Sequence, residues 1–151
     1  MNILHIISQH PESTGSGFYL QNLIRQSEIA GHRNFLVAGI SSEPTLRMAG
    51  VDPEYCRFVR FTGGDLGFAI PGMSDVMPYA SSRFNDLTPA ELDCYEQAFA
   101  EKIRQVARDF AIDLVHSRHL WIVSAVTRSV LAGYPMVTSC HSTDLRQLNQ
   151  C

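Results

Sequence analysis

Three segments of the 151-residue chain concentrate side chains able to bind or transform a ligand. Thr14-Gly15-Ser16-Gly17 places two glycines where a polar stretch gives way to a helical pattern. Glycine lets backbone N–H groups approach an anion closely, and a helix start favours negative charge. The same residues also suit an ordinary turn that uses glycine for its conformational freedom. His116-Ser117-Arg118-His119 and His141-Ser142-Thr143-Asp144-Leu145-Arg146 add imidazoles, hydroxyls, a carboxylate and guanidiniums. Imidazole donates, accepts or moves a proton near neutral pH, and guanidinium forks onto phosphate or carboxylate.

His116, His119 and His141 would together make a three-ligand metal set. No carboxylate partner repeats the pattern, so polar contacts to backbone or substrate are the preferred reading and no metal or cofactor is expected. Asp144 is the carboxylate nearest His141; it reads as an orienting partner or a helix cap rather than a nucleophile. Cys140 and His141, adjacent at a strand end, point to opposite sides and do not pair. His5 lies in an apolar run and reads as a core histidine; His10 and His32 read as solvated.

Several chemistries are excluded or disfavoured. A dinucleotide fingerprint needs glycine at position 20, which is Leu20, and an acid after the second strand, where Ala38-Gly39-Ile40 stands. There is no phosphate-binding loop of the nucleotide-hydrolase type, no serine nucleophile elbow and no H-E-x-x-H. The net charge of −3 gives no basic excess, so nucleic acid is not an expected partner. Cys56, Cys94, Cys140 and Cys151 form no C-x-x-C pair and read as reduced thiols of a cytoplasmic protein. No apolar stretch reaches the roughly 18 residues of a membrane span, so any membrane association is peripheral, at the inner face.

The elements that must position these segments follow from periodicity. Residues 3–7, 35–38, 113–116 and 136–139 are short β-branched or apolar runs that suit buried parallel strands. Residues 57–61 alternate polar and apolar, as a strand nearer the sheet edge does. Helices are expected over 19–30, ending at Gly31; over 88–110, opened by the capping box Thr88-Pro89-Ala90-Glu91; and over 120–131. The middle helix carries Leu92, Tyr95, Phe99, Ile103, Val106 and Phe110 on one face. Residues 62–86 form a long apolar loop, expected to be an acceptor-side surface that orders on binding. The fold class is α/β: a Rossmann-like, mainly parallel sheet with helices on both faces. In such sheets ligands bind beyond the carboxyl ends of the strands, where the three polar segments lie.

The chain resembles the N-terminal domain of GT-B-fold glycosyltransferases of the retaining family 4 type. The residues carrying the resemblance are Asn2 to Ile7, Thr14 to Leu20, Ala30-Gly31-His32, Asp113 to Trp121 and Pro135 to Leu145. The resemblance implies a nucleotide-sugar co-substrate, a sugar, lipid-linked or small-molecule acceptor, no metal requirement and retention of configuration. It implies His141 at the reaction centre. It also implies donor or acceptor contacts from Gly15, Ser16, Gly17, His116, Arg118, His119, Thr143, Asp144 and Arg146. The family's glycine pair falls on Thr14-Gly15, so one glycine is kept, and Arg118 replaces the second histidine of its H-x-H. Residues 1–151 are accordingly expected to be one acceptor-side domain of a longer protein, inactive without a C-terminal nucleotide-sugar domain. The alternatives are a non-catalytic Rossmann-like module that binds a nucleotide or a partner, and a disfavoured nicotinamide oxidoreductase.

Overall fold

The computed structural model describes residues 1–41, 51–74 and 76–150; the expected thiol at Cys151 lies outside them. In chain order the strands are β1 (Asn2–Ile7), β2 (Arg33–Ile40), β3 (Cys56–Arg60), β4 (Pro71–Gly72), β5 (Ser82–Arg83), β6 (Leu114–Arg118) and β7 (Met136–Ser139). The helices are α1 (Gly15–Ile29), α2 (Pro89–Asp109), α3 (Ile122–Val130) and α4 (Ser142–Gln150). Five strands form one sheet in the order β3-β2-β1-β6-β7, and every pairing in it is parallel. The Rossmann-like class read from the sequence is the class observed, and β3 sits at an edge as its alternation implied.

The two faces of the sheet are built differently. On one face Leu4, Ile6, Phe35, Val37, Val59 and Val115 meet Tyr95, Phe99, Ile103 and Val106 of α2 and Val123 and Val126 of α3 in one large core. The α2 stripe matches the predicted face, with Tyr95, Phe99, Ile103 and Val106 fully buried. Its start is fixed as expected: Thr88 Oγ1 accepts from the Glu91 N–H at 3.3 Å, and Glu91 returns a carboxylate oxygen to the Thr88 N–H at 2.9 Å. The other face has a smaller apolar cluster, in which Leu20 and Ile24 of α1 cover Ile7, Leu36 and Ala38. Tyr19, expected on that buried stripe, is instead exposed. Gly31 closes α1 in the left-handed region at φ 79°, where a side chain would be strained.

Two expectations are corrected. Residues 62–86 are not simply a surface waiting for a ligand. Leu66, Ile70, Met73 and Phe84 enter the large core, Phe68 packs against it, and β4 pairs with β5 in a short parallel ladder. Between these anchors polar and small residues such as Thr62 to Asp65 are exposed, as are Val76 and Pro78 at the tip. His10 is not solvated: it is buried, and its Nε2 accepts the Ser41 N–H at 2.8 Å.

His5 is a core histidine as expected, but it belongs to a chain of polar groups that runs across the smaller face. Asn34 Nδ2 donates to the Ile24 carbonyl, so its Oδ1 accepts, from Ser27 Oγ at 2.8 Å and from His5 Nε2 at 3.0 Å. With its hydrogen on Nε2, His5 accepts at Nδ1 from His116 Nδ1, 3.1 Å away. His116 Nε2 is then left to accept from Ser139 Oγ at 2.9 Å. Each ring carries one hydrogen, and every ring nitrogen has a partner.

This arrangement makes stability pH-dependent. Burial is the main cause that pushes both His5 and His116 down to about 4; the Arg118 charge adds to it in each, and the neighbouring His5 adds to it for His116. The unfolded chain takes up these protons near pH 6.5, so between there and pH 4 it binds more protons than the folded chain. Stability is therefore complete above about pH 6.5 and falls with acidification, at up to about 1.4 kcal/mol per pH unit for each ring. Urea unfolding at pH 7.5 and pH 5 should show a clearly lower midpoint at pH 5. Equal midpoints would mean that the two rings are not held neutral.

Candidate functional site

Three strand ends converge at the carboxyl edge of the sheet. After β1 the chain runs through Gln9 to Thr14, the N-cap of α1, whose Oγ1 accepts the Gly17 N–H at 3.1 Å. β6 ends at Arg118, followed by His119, and β7 leads to His141 and α4. Gln9, Thr14, Gly15, Ser16, His119, His141 and Thr143 line one cleft of about 380 Å³. The tip of the 62–86 segment forms its apolar wall through Met73, Val76, Met77 and Pro78. The first-turn amides of a helix have no partner within the helix, so the start of α1 brings donors and a positive dipole end to this cleft.

His119 is the most constrained residue of the site. Its backbone is in the left-handed region at φ 68°, a conformation that costs a non-glycine residue of order 1–3 kcal/mol. Its N–H donates to the Ser139 carbonyl at 3.0 Å and its carbonyl accepts from Ser124 Oγ, so both sides of the peptide are pinned. The ring Nδ1 lies 2.7 Å from Asp144 Oδ1. Nε2 faces Gln9 Nε2 at 3.1 Å and Ser16 Oγ at 3.3 Å. A Gln9 amide can only donate, so Nε2 accepts and the ring hydrogen is on Nδ1. Burial pushes His119 below its ordinary value despite the opposing Asp144 carboxylate, which keeps the ring neutral at pH 7.

Asp144 is buried and fully used. Its Oδ2 accepts the N–H groups of His141 at 2.7 Å and Leu120 at 3.0 Å. Burial alone would raise its carboxyl; the two backbone N–H bonds and the His119 ring outweigh that and hold it below the usual carboxylate range. It thus caps α4 at its first turn and orients His119. Of the two roles expected for Asp144, it caps the helix and fixes His141 through that residue's backbone N–H; the ring it holds is His119.

Arg118 is fully buried behind the cleft, its guanidinium 4.4 Å from the centre of the Tyr19 ring. Nη2 donates to His141 Nε2 at 2.8 Å and to the Ser16 carbonyl at 3.2 Å. His141 therefore accepts at Nε2 and carries its hydrogen on Nδ1. Burial first, then the Arg118 charge, pushes its pKa down.

Of the residues expected at the site, Gly15, Ser16, His119, His141 and Thr143 share the cleft. Arg118 and Asp144 stand behind it and hold its members. Three do not reach it. His116 is occupied by His5 and Ser139 beneath the sheet surface. Arg146 is exposed on α4. Gly17 is buried under the preceding loop, where a Cβ would lie 2.6 Å from the Pro11 carbonyl oxygen. The sequence reading missed Gln9, since one glutamine after a strand carries no pattern. The apolar wall was signalled by the composition of residues 62–86. Gly39, which stands where a ribose-binding acid was sought, packs its backbone against the Ser8 carbonyl, leaving no room for a side chain. Among the described residues, no group of three or more His, Cys, Asp or Glu side chains is arranged to hold a metal ion, and no helix is long and apolar enough to cross a membrane. Cys56, Cys94 and Cys140 are free thiols.

No family model matches the chain, and no curated protein matches it. Among solved structures it is similar to a sucrose-phosphate synthase from Thermosynechococcus elongatus, with 16% identity and a TM-score of 0.58 over 94% of this chain and 33% of that one. The chain thus spans about a third of that enzyme. It is also similar to the C-terminal domain of a hydrogenase from Pyrococcus furiosus, with 15% identity and a TM-score of 0.53 over 91% of this chain and 90% of that domain. At these identities the likeness is one of fold: a Rossmann-like fold that a sucrose-phosphate synthase shares.

The two glycines at the start of α1 should respond differently to alanine. A Cβ at Gly15 meets nothing within 4 Å, so Gly15→Ala should leave stability unchanged or slightly raised. Gly17→Ala should cost about 1–3 kcal/mol, because the helix and the Pro11 backbone must separate. Thermal unfolding of both variants tests this; equal losses would show that α1 is not packed against the loop as described.

Proposed function

We propose that this chain forms the acceptor-side domain of a glycosyltransferase that moves a sugar from a nucleotide-sugar to an acceptor, with retention of configuration and without a metal ion. The observation that carries the reading is the single cleft onto which the α1 N-terminus, His119 and His141 open. The fold shared with a sucrose-phosphate synthase supports it, as do the motifs that resemble family 4. The nucleotide would be held mainly by a further domain outside these residues, and the 151-residue chain alone would not turn over a nucleotide-sugar.

In this reading the first-turn amides of α1, bare at Gly15 and flanked by the Ser16 hydroxyl, face the charge that develops on the departing diphosphate. His141 is a donor at Nδ1, because Arg118 occupies its Nε2; that hydrogen suits a sugar hydroxyl near the reacting carbon. Thr143 adds a hydroxyl whose buried oxygen has no partner among the described residues. Arg118 and Asp144 act through the rings they hold, Gly17 through the close approach of α1 to its loop. The apolar wall of Met73, Val76 and Met77 would contact the acceptor.

The test is turnover of a panel of nucleotide-sugars by the full-length protein. His141→Ala should lower turnover by about 10²-fold or more with the unfolding temperature retained, the loss typical of a positioned polar donor. A chelator should leave turnover unchanged. Undiminished turnover in His141→Ala would overturn the assignment of His141, and nucleotide-sugar binding without transfer would point to a binding module.

A further inference from the structure

We propose that Ser16, His119 and Asp144 form a nucleophilic relay able to cleave a carboxylic ester, an activity that does not rest on glycosyl transfer. The three residues are in line: Asp144 Oδ1 lies 2.7 Å from His119 Nδ1, and His119 Nε2 lies 3.3 Å from Ser16 Oγ. The order of roles is that of a nucleophile, a base and a group orienting the base. The tautomer is the one it needs, since Nδ1–H is committed to Asp144 and the Nε2 lone pair lies within reach of both Ser16 Oγ and the Gln9 amide, whose N–H must give way as the serine proton transfers. Asp144 cannot turn away, because its second oxygen holds two backbone N–H groups. His119 is kept in a left-handed backbone conformation with both of its peptide groups pinned, the kind of strain that persists where the surroundings fix a geometry.

The rest of the cleft fits an acyl group. Gln9 Nε2 donates to Ser16 Oγ at 2.7 Å and would favour its alkoxide. The amides of the first turn of α1, uncovered at Gly15, are donors for the oxyanion of a tetrahedral intermediate. Met73, Val76 and Met77 supply the apolar surface against which an aliphatic acyl chain can lie. The reaction balances with water as the only co-reactant. Ser16 Oγ bonds to the ester carbon and its proton passes to His119 Nε2. The C–O bond to the alcohol breaks, and the departing oxygen takes that proton. Water then attacks the acyl-serine and gives a proton to His119; the bond from the acyl carbon to Ser16 Oγ breaks, Oγ takes that proton back, and the carboxylic acid leaves and ionises in water.

The relay was hidden in the sequence because Ser16, His119 and Asp144 come from three separate segments: the first turn of α1, the turn after β6 and the first turn of α4. A fluorophosphonate probe tests it: an activated serine displaces fluoride and keeps the phosphonyl group. After incubation of the chain with the probe, peptide mass mapping should find one adduct per chain, on Ser16. His119→Gln should slow adduct formation by about 10²-fold or more, whereas Ser129→Ala on α3 should not change it. No adduct, or an adduct on another residue, overturns the relay on the wild-type chain alone, so the test holds even if His119→Gln fails to fold. An equal labelling rate in a folded His119→Gln chain overturns it as well.

Discussion

The carboxylate of Asp144 is the constraint on which the site depends. It joins two segments that are distant in sequence: the turn after β6, through the His119 ring and the Leu120 N–H, and the start of α4, through the His141 N–H. A buried carboxylate that made fewer bonds would be costly, since an unpaired charge away from water is heavily penalised. Here both oxygens are used, and the nearby Arg118 guanidinium supplies the opposite charge. The same contacts fix the hydrogen of His119 and the position of His141, so the chemistry of the cleft is set by a group that does not itself line it.

The sheet divides labour between its faces. The face covered by α2 and α3 is apolar and carries most of the buried hydrocarbon, including the fully buried Phe99 and Ile103. The other face gives up apolar packing to the His5–His116–Asn34 chain and to Arg118. Such groups are tolerable only when satisfied, and along the His5–His116 chain each ring nitrogen has a partner. The large core thus supplies the stability against which a strained His119 and a buried guanidinium can be held. The 62–86 segment bridges the two roles: its root is core, and its tip is the wall of the cleft.

Much of the fold was legible because it rests on local signals. The capping box at Thr88, the α2 stripe and Gly31 after α1 each state a physical requirement within a few residues. The strand runs were β-branched and short, and their alternation with helices implied a parallel sheet. The site was legible only in part. That the three polar segments meet follows from topology, since ligands bind where parallel strands end. Which atoms meet does not. His116 and His119 are three residues apart, yet one turns under the sheet and the other into the cleft. Gln9 and His10 lack any pattern, and their burial depends on how the loop after β1 folds over α1. Arg118 reads as a surface fork for an anion, but tertiary packing places it on Tyr19, behind the site.

The most direct measurement is the hydrogen inventory of the His119 ring by NMR of nitrogen-15-labelled histidine at pH 7.5. The account requires a neutral ring with its hydrogen on Nδ1, hydrogen-bonded to Asp144 and deshielded accordingly, and loss of that signature in Asp144→Asn. A hydrogen on Nε2, or on both nitrogens, would contradict it, because His119 could then neither accept from Gln9 nor take a proton from the cleft.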